Sequence, residues 1–125
     1  MQFERRTLAD VVLAVPAGRI DHPNAQALEQ ALRPILSDAT AREAALVLDF
    51  AGVDYISSMG LRVLMVAAKQ LRARGKRIAV GGLAPAVQEI FAIARFEHVL
   101  EVFPTVRDAL GAISAAALQA YDRAP

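Results

Sequence analysis

Residues 49–64, DFAGVDYISSMGLRVL, run from the end of an apolar strand through a short polar loop to two adjacent serines that begin a hydrophobic helix. A helix N-terminus presents unpaired backbone N–H groups and the positive end of the helix dipole. A phosphate on Ser57 or Ser58 would therefore be tolerated locally, as a phosphorylation switch requires. The competing interpretation is simple capping, because serine is a preferred N-cap residue and needs no further reason to precede a helix.

Apolar runs on the N-terminal side of this stretch predict three strands. Residues 3–7 and 11–15 surround a tight turn and are expected to form a hairpin. Residues 45–50, ALVLDF, form a short apolar run between polar segments, which is typical of a central strand buried on both faces. The serine pair therefore follows the end of a central strand.

An amphipathic helix is expected between the hairpin and the central strand. Its apolar face carries Ala25, Leu28, Leu32 and Ile35. Pro34 has no N–H to donate to the carbonyl of Gln30, so the helix is expected to kink there or to end near Leu32.

The C-terminal side continues the alternation of helices and strands. The helix begun by the serines is expected to end before Gly75, which takes the C′ position. A strand over residues 78–80, a helix from Pro85 and a last strand over residues 99–103 follow. Thr105 and Asp108 predict a capping box at the start of one terminal helix, whose apolar residues are Ala109, Leu110, Ile113 and Ala117.

This order of elements predicts a single α/β domain over residues 1–125, with a mixed, mainly parallel sheet of four to five strands and about four helices. Functional residues of such sheets gather at the carboxyl ends of the strands. Asp21, Asp54 and the two serines are each expected on a strand-to-helix connection at that end. The sequence therefore predicts one binding surface there.

Two motifs resemble the STAS domain family, and specifically the bacterial anti-sigma factor antagonists. SSMGLRVL after VDYI is similar to the family's D-S-S/T-G-L junction, where the serine two places before the glycine is phosphorylated by a partner kinase. This resemblance implies Ser58 as the phosphorylated residue. GRID, ending at Asp21, resembles the family's G-x-L/I-D after the second strand, which implies that Asp21 helps to contact the kinase. The resemblance covers about residues 3–115, leaving a short C-terminal tail.

The match departs from the family at the residue before the phosphoserine, which is acidic in the family and is Ser57 here. Ser57 is therefore the second candidate for phosphorylation. Met59 lies where the family usually has Ser, Thr or Ala, and is expected to form part of an apolar docking patch. The predicted partner-binding residues are Asp21, Asp54, Ser57 and Met59.

The resemblance implies a regulatory binding module. Unphosphorylated, it would bind an anti-sigma factor serine kinase and displace a sigma factor, and phosphorylated, it would release the kinase; a phosphatase is the second implied partner. The alternative is a STAS subunit that binds the ATPase of an ABC-type lipid transport complex without phosphorylation. The fold cannot separate these two functions.

A response-regulator receiver domain is the closest competing fold, because Asp49 in LVLDF lies where a receiver has its phosphorylated aspartate. Receivers hold the required divalent cation with an adjacent acidic pair after the first strand, but the corresponding segment PAGRID offers a single acid. The receiver's lysine after the fifth strand is also missing from EVFPT. We interpret Asp49 as a structural residue that hydrogen-bonds loop backbone.

Composition argues against several other functions. There is no cysteine, and His22 and His98 share no metal-ligand spacing, so no metal or cofactor is expected. No Ser-His-Asp order or Gly-rich phosphate loop is present, so the chain is not expected to be an enzyme.

Charge and hydropathy make further partners improbable. The net charge is +1, and the basic residues between Arg72 and Arg77 complement a helix C-terminus rather than forming a nucleic-acid surface. The N-terminus lacks a secretory signal pattern and no apolar run is long enough to cross a bilayer. We therefore expect a cytoplasmic location, without nucleic-acid binding or direct membrane insertion.

Overall fold

The computed structural model describes residues 3–123, which form six strands and five α-helices. The strands are β1 (Phe3–Leu8), β2 (Val11–Ile20), β3 (Ala45–Asp49), β4 (Gly52–Ile56), β5 (Ile78–Gly81) and β6 (Glu101–Phe103). The helices are α1 (Ala25–Ala41), α2 (Ser58–Arg72), α3 (Pro85–Ile93), α4 (Val106–Ile113) and α5 (Ala115–Arg123), with a 3-10 turn at Phe96–His98. The predicted α/β class is confirmed, and the structure adds a sixth strand and a fifth helix.

The strands form a mixed sheet that is parallel except at one edge. Their order is β1-β2-β3-β5-β6, and β1 is antiparallel to β2. The long strand β2 pairs with β3 through residues 11–14 and with β4 through residues 17–20, both in parallel. The carboxyl ends of β2 and β4 therefore lie side by side, directly before α1 and α2.

The prediction of a polar loop between Phe50 and Ser57 is wrong, because most of this segment forms strand β4. Only a tight turn follows β3, in which the N–H of Val53 donates to the carbonyl of Phe50 at 2.9 Å. Val53 and Ile56 are buried, so the segment gains enough apolar contact to continue the sheet beside β2. Asp49 accepts a hydrogen bond from the N–H of Ala51 at 3.0 Å, which agrees with its interpretation as a loop-bonding residue.

The sheet is covered on both faces, with α1, α2 and α3 on one side and α4 and α5 on the other. Strand β3 shows this directly, since Leu46 and Leu48 belong to the first core and Ala45 and Val47 to the second. The predicted burial of β3 on both faces is confirmed. No helix within residues 3–123 is long and apolar enough to cross a membrane.

Helix α1 continues past Pro34 to Ala41, so the expectation that it could end near Leu32 is wrong. Both Pro34 and Gln30 are exposed, and water can therefore satisfy the carbonyl that loses its helical hydrogen bond. Ile35 and Ala39, beyond the proline, are buried against the sheet and hold the second half of the helix in place.

The two predicted helix boundaries that depend on local chemistry are confirmed. Gly75 has φ +70° and donates to the carbonyl of Arg72 at 2.9 Å, as a C′ glycine does after α2. The Thr105 hydroxyl accepts from the N–H of Asp108 at 3.0 Å and caps α4.

The prediction of a single terminal helix is wrong, because Ser114 has an extended backbone and separates α4 from α5. Its hydroxyl accepts from the N–H of Ala117 at 3.1 Å, capping α5, and also hydrogen-bonds the carboxylate of Asp10. The break therefore depends on a residue of the β1–β2 turn that lies far away in sequence.

Candidate functional site

The junction between β4 and α2 gives the capping role to Ser57. Its backbone is extended, with φ −83° and ψ 169°, and its hydroxyl accepts from the N–H of Gly60 at 3.2 Å. Its own N–H donates to the carbonyl of Ile20 at 2.7 Å, which fastens the start of α2 to the end of β2. The hydroxyl of Ser57 is thus engaged in maintaining the fold.

Ser58 is the first residue of α2, and its side chain is exposed to solvent. None of the side-chain hydrogen bonds found among residues 3–123 involves its hydroxyl, in contrast to that of Ser57. No acidic residue lies in the first turn of α2, so the positive end of the helix dipole is not neutralised there. Ser58 therefore presents an accessible nucleophilic oxygen in an environment that favours an anion.

Gly60 is required for α2 to start so close to the sheet. A Cβ atom built on this buried residue would lie 2.8 Å from Cγ2 of Ile20 and 2.8 Å from Cγ1 of Ile56. The glycine of the SSMG segment thus lets the first helical turn rest on the adjacent ends of β2 and β4. This contact fixes the position of Ser58 relative to the end of β2.

Asp21 directly follows β2, and the structure gives its carboxylate a local role. One oxygen accepts from the N–H of Asn24 at 3.0 Å, closing the turn that precedes α1. The other lies 3.9 Å from Nε of Arg19. The side chain is 35% exposed, so it supports the turn and still reaches the surface beside the start of α2.

Asp54 lies within β4, so its predicted place on a strand-to-helix connection is wrong. Val53 pairs with Gly18 and Tyr55 with Arg19, which leaves Asp54 as the extra residue of a β-bulge. Its side chain is exposed. The bulge interrupts the alternation of buried and exposed positions, and this interruption made the segment resemble a loop in sequence.

Two residues at this edge were not predicted from the sequence. The guanidinium of Arg19 lies 4.0 Å from the ring centre of Tyr55, its pairing partner across β2 and β4. A cation–π contact at an exposed position contributes about 0.5–1 kcal/mol. Arg19 occupies the variable position of GRID, and Tyr55 lies in the strand before the serines, so neither was a candidate from the sequence; the register of β4 against β2 brings them together.

The site at the start of α2 thus combines the free hydroxyl of Ser58, the carboxylate of Asp21 and an exposed apolar side chain, whereas Asp54 lies apart from it within β4. Met59, next to Ser58, is 40% exposed, as an apolar docking residue would be. Within residues 3–123 no three His, Asp or Glu side chains are grouped so that they could hold a metal ion. The arrangement suits recognition by a protein surface and modification of Ser58.

Comparison with known proteins gives consistent matches. Residues 3–102 match the family model described as Mlab, STAS domain. BtrV of Bordetella bronchiseptica, named as an anti-sigma factor antagonist, is 36% identical over 115 residues, which are 92% of this chain and 94% of BtrV. An anti-sigma factor antagonist from Mycobacterium paratuberculosis superposes with a TM-score of 0.79 at 26% identity, covering 90% of this chain and 92% of that one.

A more distant structure shares the fold. A Thermotoga maritima protein, also named as an anti-sigma factor antagonist, superposes with a TM-score of 0.79 at 18% identity, over 89% of this chain and 93% of that one.

Proposed function

The chain belongs to the STAS domain family, and on this premise we propose that it is an anti-sigma factor antagonist controlled by phosphorylation of Ser58. Unphosphorylated, it binds an anti-sigma factor serine kinase and displaces the sigma factor. Phosphorylated, it releases the kinase until a phosphatase restores the serine. The observation that carries this proposal is the exposed Ser58 hydroxyl at the start of α2, beside a serine that is already engaged as the cap.

Ser57 caps α2 whereas the hydroxyl of Ser58 is free, and this difference supports Ser58 as the acceptor of the phosphate. Transfer requires Oγ to attack the γ-phosphorus of ATP held by the kinase, with ADP leaving and the hydroxyl proton passing to a base on the kinase. The exposed Ser58 can enter a kinase active site without disturbing the fold. Ser57 would first have to release the N–H of Gly60.

Phosphorylation is expected to act at the interface and to leave the fold intact. A phosphoserine adds about −1.5 to −2 charges at neutral pH, which the N-terminus of α2 partly compensates. The added charge also increases the negative charge of an edge that already carries the carboxylate of Asp21. A partner surface that fits a neutral serine is therefore repelled.

Ser57→Ala should lower the free energy of unfolding by about 1 kcal/mol, because it removes the cap on α2. It should nevertheless leave Ser58 available as a phosphate acceptor. Chemical denaturation measures the first effect, and phosphosite mapping after treatment with the kinase and ATP measures the second. If the alanine variant folds normally but takes up no phosphate, the assignment to Ser58 fails.

Comparison of Asp21→Asn with Asp21→Ala separates the two roles of Asp21. Asparagine keeps an oxygen for the N–H of Asn24 and removes the charge, whereas alanine also removes the hydrogen bond. We expect Asp21→Asn to melt near the wild-type temperature and to bind the kinase more weakly. We expect Asp21→Ala to lose about 1 kcal/mol of stability as well. Normal kinase binding by Asp21→Asn would show that this residue only supports the turn.

A pull-down with the full chain from lysate of its source organism tests the choice of partner. We expect an anti-sigma factor kinase to be recovered, and to be lost when Ser58→Asp is the bait. Repeated recovery of transporter subunits alone would instead favour the transport-complex function and overturn the proposal.

A further inference from the structure

A groove of about 780 Å³ runs between α1 and α2 on the side away from the sheet. It is open to solvent along one side, and its accessible apolar lining comes from both helices: Leu36 of α1 and Met59, Val63 and Val66 of α2. The buried core residues Leu32 and Ala67 form its floor. The groove begins at Met59, immediately beside Ser58, and continues to Ala73 near the end of α2. It is therefore continuous with the site described above.

Helix α2 carries more apolar surface than the core needs. Its core-facing residues are buried against the sheet: Leu61, Leu64, Ala68 and Leu71. A second stripe, Met59, Val63 and Val66, has the spacing of a helix face and lines the groove; Val63 is half-buried and also packs against the core. Met59 is 40% and Val66 46% exposed, although apolar side chains of this size are usually covered.

The rim of the groove is positively charged. Arg33, Arg62 and Arg74 line it together with one acid, Glu29, which pairs with Arg33 at 2.6 Å. Within residues 3–123, Arg62 and Arg74 form no ion pair, so two cations remain uncompensated on the rim. The surface complements a ligand that is apolar on one side and acidic at its edges.

The dimensions suit a helix better than a small molecule. Fourteen residue steps from Met59 to Ala73 span roughly 21 Å at about 1.5 Å per residue, the length of a helix of about 14 residues. A small ligand in so open a groove would stay largely in water, whereas binding pockets usually cover most of their ligand. A docked helix would bury its own apolar face over Met59 and Val66.

We propose that this α1–α2 groove binds an acidic amphipathic helix of the partner protein, and that Ser58 controls its entry. This rests on the proposed function for the identity of the switch, but the groove itself requires no phosphorylation. Arg62 lies four residues after Ser58 on the same helical face, so a phosphate on Ser58 would pair with Arg62. The phosphate would then both repel the acidic helix and occupy one of the cations that attract it.

Binding of synthetic peptides to the full chain tests the groove without any kinase. The probe is a peptide of about 16 residues with Leu at helical i, i+3 and i+4 spacing and Glu and Ala elsewhere. The matched probe has Lys in place of every Glu. We expect the Glu peptide to bind with a dissociation constant below about 1 mM, and the Lys peptide to bind at least about tenfold more weakly.

Variants locate the bound peptide. Val66→Asp and Arg62→Glu should each weaken the Glu peptide by about tenfold, and Ser58→Asp by about threefold. Ile93→Asp is the matched control, because Ile93 is 77% exposed on α3 and lies outside the groove. It should bind the peptide as the wild type does, and thermal denaturation should show that all four variants are folded.

This inference is overturned if the Glu peptide does not bind, if the Lys peptide binds equally well, or if Ile93→Asp and Val66→Asp lose the same affinity for the Glu peptide. Displacement of the peptide by sodium oleate at submillimolar concentration, with tighter binding of oleate than of the peptide, would assign the groove to an acyl chain instead. None of these results depends on whether Ser58 is phosphorylated, so the groove and the switch can fail separately.

Discussion

Ser58→Asp is expected to bind the partner kinase at least about tenfold more weakly than the wild type while remaining folded. The carboxylate imitates part of the phosphate charge at an exposed position, where the α2 N-terminus tolerates an anion. Ser58→Ala should bind the kinase and should stay bound in the presence of ATP, because it cannot accept the phosphate. Isothermal titration against the purified kinase, with thermal denaturation alongside, measures both properties.

A matched control distinguishes the site of the charge from the charge itself. Ala116→Asp places the same carboxylate at an exposed position in the first turn of α5, on the opposite face of the sheet. It should bind the kinase as the wild type does. If Ser58→Asp binds as tightly as the wild type, or if both variants lose affinity equally, release does not act through the start of α2.

Gly81→Ala is expected to have the largest effect on stability, lowering the free energy of unfolding by about 3 kcal/mol. Gly81 is the buried last residue of β5, and a Cβ there would lie 2.6 Å from backbone atoms of Thr105 and Val106. Backbone cannot rotate away as a side chain can, so α4 would have to move off the sheet. The melting temperature should fall by roughly 10 °C or more.

Gly52→Ala serves as the control for this substitution. Its added Cβ would meet the nearest atom, Cβ of Ala17, at 3.4 Å, an ordinary contact distance, and the residue is exposed. We expect the stability of this variant to remain within about 0.5 kcal/mol of the wild type. A Gly81→Ala protein that unfolds at the same denaturant concentration as Gly52→Ala would contradict the close packing of α4 on β5.

Much of the fold follows from local chemistry that can be interpreted in the sequence. Gly75 ends α2 because only a residue that tolerates positive φ suits that position, and Thr105 begins α4 because its hydroxyl caps a free N–H. The alternation of apolar segments indicated a mainly parallel sheet. It also placed Asp21 and the serine pair at one edge, where the N–H of Ser57 now bonds the carbonyl of Ile20.

Other features depend on contacts between distant segments. Strand β4 exists because β2 extends past β3 and offers a partner, and the bulge at Asp54 hides its periodicity. The break at Ser114 involves Asp10, more than a hundred residues away in sequence. Neither pairing leaves a local pattern in the chain.

The candidate site shows the same division. The family resemblance placed Ser58 first and Ser57 second as the phosphorylated residue, but local chemistry could not distinguish the two serines, because both positions fit a cap. The geometry separates them, since only Ser57 accepts from the N–H of Gly60. The sequence predicted Met59 as part of an apolar docking patch but did not predict the α1–α2 groove, because the other wall of the groove belongs to a helix from a distant part of the chain.

Phosphosite mapping tests the central claim most directly. The full chain, Ser57→Ala and Ser58→Ala are each incubated with the partner kinase and ATP, and the modified residue is located by tandem mass spectrometry. We predict one phosphate on Ser58 in the wild type and in Ser57→Ala, and none in Ser58→Ala. A phosphate on Ser57 of the wild type, or phosphorylation of Ser58→Ala to the wild-type level, would contradict the assignment of Ser58 as the switch.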